Sequence, residues 1–123
     1  MTMETVFICQ SDALEEGGKG VRFSVMAGSD EATGFVIRYA GGVHAYLNRC
    51  AHVPVELDWN PGEFLESSGL YIMCATHGAI YEPQTGHCSG GPCRGSRLRK
   101  LAVTEADGKV VWMPDDYVRP VLA

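Results

Sequence analysis

Two short boxes hold the residues of this chain best suited to chemistry: Cys50-Ala51-His52 and Cys74-Ala75-Thr76-His77-Gly78. Each offers one thiolate and one imidazole, donors that suit zinc and iron. Two cysteines and two histidines can close a tetrahedral zinc site. They also satisfy a [2Fe–2S] centre in which two histidines replace two cysteines on one iron. Thiolates stabilise ferric iron strongly, whereas neutral imidazoles donate less charge. Unequal ligation therefore places an added electron on the imidazole-bound iron, and the chemistry is single-electron transfer. The strongest zinc signal is a close cysteine pair followed by a close histidine pair. Cys88 and Cys93 are close, but no closely spaced histidine pair follows. Structural zinc therefore stands as the alternative.

The two boxes are separated by 21 residues, from Val53 to Met73, enough chain to fold back and bring them face to face. Residues 70–73 read as the strand that delivers Cys74. Short strands are also predicted over 5–9, 20–26, 34–40 and 43–47, with Gly41-Gly42 as a hairpin turn between the last two. A second hairpin joins 98–104 to 109–113 through Asp107-Gly108. Residues 11–16 read as one helical turn capped by Ser11 and ended by Gly17-Gly18. No segment sustains a 3.6-residue apolar repeat. The fold class is therefore all-β, a small antiparallel sandwich or barrel. From about Tyr46 to Pro92 the chain turns rich in Pro, Gly, Asn and Asp, and all four boxed residues fall there. That texture predicts an excursion from the scaffold that holds the site. Residues 114–120 contain two prolines and read as a tail lying loosely on the surface.

The chain has 123 residues and a formal net charge of −5, which predicts one domain, 1–123, and argues against nucleic-acid binding. No stretch approaches the roughly 20 apolar residues of a membrane-spanning helix. The first twenty residues lack a basic start and an apolar run, so the expected compartment is the cytoplasm. Five cysteines there read as metal ligands or free thiols before disulfides. Cys9, on an apolar strand, reads as a buried thiol, and Cys88 and Cys93 read as free thiols. His44 reads as structural and His87 as a polar loop residue. Trp59 reads as loop packing.

The order of these features resembles the Rieske iron–sulfur family. Cys50-x-His52 and Cys74-x-x-His77-Gly78 look like that family's motif pair. Residues 81–86, then Gly90-Gly91-Pro92 and Leu98, resemble its closing loop and final strand. The likeness runs from about Val43 to Met113. It implies that Cys50 and Cys74 hold one iron and His52 and His77 the other. It also implies a small β-sandwich with an inserted cluster-binding subdomain, here about 46–92. High-potential members carry an extra bridged cysteine in each cluster loop, where this chain has Val55 and Thr76. They also place a serine and a tyrosine after the second histidine, where this chain has Ala79 and Tyr81. Fewer hydrogen bonds to sulfur lower the potential. The expected midpoint lies in the lower half of the ~−150 to +300 mV Rieske range.

The resemblance implies an electron carrier rather than an enzyme, a Rieske-type ferredoxin between a flavin reductase and an oxygenase or another reductase. The second reading is a non-catalytic small subunit of a larger oxidoreductase, of the nitrite reductase small-subunit type. Arg94, Arg97, Arg99 and Lys100 cluster after the closing loop, and Glu56, Asp58, Glu63 and Glu66 cluster in the spacer. Both clusters read as solvated faces or as guides for a redox partner.

Overall fold

Short alternating segments joined by tight turns define this chain. The computed structural model describes residues 5–49, 56–58, 62–66, 68–74, 78–90 and 96–121. Its strands are β1 (Val6–Gln10), β2 (Val21–Ala27), β3 (Asp30–Tyr39), β4 (Gly42–Leu47), β5 (Ile72–Met73), β6 (Ile80–Tyr81), β7 (Cys88–Gly90), β8 (Lys100–Ala106), β9 (Lys109–Met113) and β10 (Val118–Pro120). All strand pairings are antiparallel. They form a seven-stranded sheet in the order β1-β9-β8-β4-β3-β2-β10 and a three-stranded sheet in the order β5-β6-β7. The all-β expectation holds.

Two-residue turns set the registers. Asp107 (φ 55°) and Gly108 (φ 75°) join Ala106 to Lys109, as expected. In the β3–β4 hairpin the turn residues are Ala40 (φ 52°) and Gly41 (φ 80°), and Tyr39 pairs with Gly42. The turn therefore lies one residue earlier than the Gly41-Gly42 reading, and Gly42 opens the strand. Primed turns of this kind match the right-handed twist of the flanking strands. The β2–β3 hairpin, in which Ala27 pairs with Asp30, was not anticipated. Its polar stretch Asp30-Glu31-Ala32-Thr33 lacks an apolar signal, but it continues the register that Phe35 to Ile37 impose.

Two further expectations are corrected. The predicted helical turn is a 3-10 turn over Ser11–Ala13, preceded by Gln10 with no side-chain cap. The C-terminal segment is an edge strand: β10 pairs with β2, and Val118 is wholly buried. The Asp115 carboxylate accepts the backbone N–H groups of Tyr117 (2.8 Å) and Val118 (2.7 Å) and turns the chain inward. Pro120 is compatible with this because an edge strand leaves outward N–H positions unused.

The central strands β3 and β4 are buried on both faces. Val36, Ala45 and Leu47 face one core with Val25, Leu101, Val110 and Trp112. Phe35, Ile37 and Tyr46 face a second core shared with the small sheet through Ile72, Cys74, Ala79 and Tyr81. Phe64 stacks on Phe35 with ring centroids 3.9 Å apart and lies between the two sheets. Burial of this apolar surface on both sides is the main force that docks the small sheet on the scaffold. At the other end, the Arg38 guanidinium donates to the carbonyls of Leu14 (3.1 Å) and Ser11 (3.0 Å) and pairs with Glu105. That contact binds the 11–14 segment, β3 and β8 together.

Candidate metal centre

Cys74 and Gly78, the two ends of the second box, lie between the paired strands β5 and β6. The Cys74 N–H donates to the Ala79 carbonyl at 2.8 Å, and the Gly78 N–H donates to the Cys74 carbonyl at 2.9 Å. Gly78 has φ +72°, and an added Cβ there would meet nothing within 4 Å. The backbone conformation, not lack of space, calls for glycine. Cys74 is wholly buried and is not in a disulfide. The hairpin thus delivers a thiol into a dry core, an environment suited to a soft-metal ligand. Ala79 is also wholly buried, and it brings no side-chain hydroxyl to this turn. Tyr81, with its phenol, is buried beside it.

The segment carrying the first box is held at its roots by a polar clasp. Asn48, almost fully buried, accepts the Leu57 N–H at 2.8 Å and donates to Asp58 at 2.8 Å. The Asn48 N–H donates to the Thr33 carbonyl at 2.7 Å, which fixes the clasp to β3. The other Asp58 oxygen accepts the Gly62 N–H at 3.0 Å. Arg22, on β2, pairs with Glu56 at 2.7 Å and lies 3.4 Å from Asp58. The side chain of one residue therefore ties position 48 to position 57 and closes the loop that contains Cys50 and His52. Leu57 then packs in the same core as Cys74. Sequence reasoning missed Asn48. Its only signal was an amide just after a strand, shortly before the first cysteine.

The third wall is the β6–β7 hairpin and the chain that follows it. The Tyr46 hydroxyl donates to the Pro83 carbonyl at 2.7 Å, and burial raises its pKa to about 12. Gly86 packs so closely on the Tyr46 ring that an added Cβ would lie 2.7 Å from it. Backbone bonds from Cys88 N–H to Ser96 O (2.9 Å) and from Leu98 N–H to Gly86 O (2.8 Å) return the chain toward β8. Cys88 is disulfide-bonded, against the reading of it as a free thiol. Cys9 is buried as expected, and its burial pushes the thiol pKa up. His44 lies on β4, and burial, helped by the Lys100 charge, holds its pKa below the ordinary value. His87 is exposed and bridges to Arg97.

Of the four predicted ligands, Cys74 lies among the described residues. Cys50, His52 and His77 lie outside them, as do Val55, Trp59, Thr76, Cys93 and Arg94. The described site residues fit a cluster held by thiolate: a buried thiol on a closed turn, and a neighbouring loop clamped at both ends.

A model of the Rieske [2Fe-2S] domain matches residues 4–115. The chain belongs to that family, and its cofactor is a [2Fe–2S] cluster. Such a cluster moves single electrons, so electron transfer is the chemistry of this domain. No curated protein matches the sequence. Among solved structures, the ferredoxin of carbazole 1,9a-dioxygenase from Nocardioides aromaticivorans IC177 is 23% identical. It has a TM-score of 0.70, with 94% of this chain and 100% of that one covered. The Sphingomonas yanoikuyae B1 ferredoxin is 23% identical with a TM-score of 0.69, covering 91% and 100%. A chain from a complex of reduced oxygenase and oxidised ferredoxin in carbazole 1,9a-dioxygenase is 20% identical with a TM-score of 0.66, covering 89% and 92%. At these identities the likeness establishes the fold. Among the described residues, no helix is long and apolar enough to cross a membrane.

Proposed function

We propose that this protein is a Rieske-type ferredoxin, a carrier that takes single electrons from a flavin reductase and passes them to an oxygenase or another reductase. In this reading Cys50 and Cys74 hold one iron and His52 and His77 the other. Residues 1–123 form one domain with a cluster-binding subdomain at about 46–92, the compartment is the cytoplasm, and the protein makes and breaks no bonds of its own. The observation that carries the reading is the wholly buried thiol of Cys74, whose backbone is bonded to Ala79 and Gly78 and which packs in the same core as Leu57. The match over whole ferredoxin chains supports a stand-alone carrier, and the ferredoxin–oxygenase complex among the neighbours supports the kind of partner.

When bound, the cluster takes up and gives back one electron. The protein's part is to hold that centre still and dry, so that little reorganises when charge changes. The closed turn at Cys74–Gly78 and the Asn48 clasp supply the stillness, and the core around Cys74 excludes water. With alanine at position 79 the reduced centre gains less hydrogen-bond support. The midpoint potential then falls in the lower half of the ~−150 to +300 mV range. A measured value above roughly +150 mV contradicts this assignment.

Anaerobically purified protein tests the reading directly. It should be brown and contain about two irons and two acid-labile sulfides per chain. Replacing Cys50, His52, Cys74 or His77 singly by alanine should abolish or alter the visible spectrum. A colourless zinc protein, or an unchanged chromophore in either histidine variant, overturns it.

A further inference from the structure

The spacer carboxylates and the basic run after the closing loop differ in what neutralises them. Glu56 is paired with Arg22, Asp58 is held by Asn48, Gly62 and Arg22, and Glu66 caps its own turn through Ser68 and Leu70. The basic run is less compensated. Arg97, Arg99 and Lys100 are exposed and flank Leu98, whose side chain is buried in the same core as Cys74. These four residues line a shallow groove of about 420 Å³. Arg99 shares Asp115 at 3.3 Å and lies 4.8 Å over the Tyr117 ring. The Lys100 amine reaches the Gln84 carbonyl at 3.1 Å. Of the carboxylates on the adjoining segments, Glu82, Asp115 and Asp116, only Asp115 pairs with this ridge among the described residues. Arg97 and Lys100 meet no carboxylate there.

This cationic ridge belongs to a molecule of net charge −5. At physiological salt the Debye length is about 8 Å, so carboxylates across the molecule are largely screened and the local charge decides the encounter. From this we propose that the 97–100 ridge is the docking surface for an acidic face of a redox-partner protein, placed against the wall of the subdomain that contains Cys74. The inference rests on the electron-carrier reading. It deepens that reading by fixing the sign of the partner's surface. The negative net charge gives no general attraction for such a partner, so the ridge selects the orientation of docking.

The test uses the cluster-loaded protein and flavodoxin hydroquinone, an acidic one-electron donor, in stopped flow. Above about 0.1 M ionic strength, where the Debye length is about 10 Å or less and local charge decides, the reduction rate of the native protein should fall as salt rises. Arg97→Glu should slow it on the order of tenfold at about 0.1 M ionic strength. Lys109→Glu carries the same charge change at the far end of β8 and β9, and should leave the rate within about twofold. Arg97 makes no side-chain hydrogen bond among the described residues, so the variant should fold, and an unchanged visible spectrum confirms it. Hexacyanochromate(III), a redox-inert paramagnetic trianion, should selectively broaden the amide signals of residues 97–100 in the oxidised protein. Equal slowing by both variants, a native rate that rises with salt above about 0.1 M, or broadening centred elsewhere overturns the proposal. Failure of the electron-carrier reading itself would show separately, as protein without the chromophore.

Discussion

At the scale of single residues, Asn48 does most for its size. Its amide satisfies the Leu57 N–H and one oxygen of the buried Asp58 carboxylate, both at 2.8 Å. Asn48→Ala would strand a buried donor and part of a buried charge. The expected cost is about 3 kcal/mol in urea unfolding, with faster bleaching of the visible chromophore under air. A loss below about 1 kcal/mol would show that the clasp is dispensable. The boxed cysteines and histidines stand out by type and spacing, and the ligand set proposed from them rests on that pattern. Asn48 does not stand out, because an asparagine that clamps a loop looks like any polar residue at a strand end. Asp58 was read as part of a solvated acidic face for the same reason. Its burial depends on Asn48, Gly62 and Arg22, which only the fold brings together.

At the scale of elements, two contacts join parts of the chain that local patterns cannot relate. Tyr46 on β4 holds the β6–β7 hairpin through the Pro83 carbonyl. Burial raises its pKa from 10 to about 12. The neutral phenol is the form the fold prefers, so its contribution is complete below about pH 10 and is lost as pH climbs toward 12. Tyr46→Phe should therefore be less stable at neutral pH and show a shallower alkaline decline between those values, measured by urea unfolding across pH. Glu105 gives the opposite case. Its hydrogen bond with Arg38 lowers its pKa from 4.5 to about 2. The charged form is preferred in the fold, so that contribution is full above about pH 4.5 and is lost as pH falls toward 2. Glu105→Gln should flatten the acid side of the stability profile there, and an unchanged slope would contradict the pairing.

The same scale shows where sequence patterns stop being informative. The Asp107-Gly108 hairpin was legible because its turn chemistry is local. The β10 strand was not, since Pro114 before it and Pro120 within it look like breakers until the edge position is known. The β6–β7 pairing was hidden as well. Strands of two and three residues carry no period, and only their packing on Tyr46 and Leu98 defines them.

At the scale of the whole molecule, a curled seven-stranded sheet serves as the base, and a three-stranded sheet stands on the outer face of its two central strands. The shared core joins them, and the continuous apolar run Phe35-Val36-Ile37 is its imprint in the sequence, buried on both sides. The class of the fold and of the centre could be read from the chain alone. The charge balance between the spacer and the basic ridge could not, because pairing within the fold decides which charges remain available.

The central claim is that two imidazoles and two thiolates share one [2Fe–2S] core. An EPR spectrum of the dithionite-reduced protein tests it most directly, recorded beside an all-cysteine plant-type ferredoxin. Mixed ligation predicts an average g value clearly below that of the all-cysteine reference. An average g equal to the reference, or no signal from protein that binds zinc instead, would contradict the account.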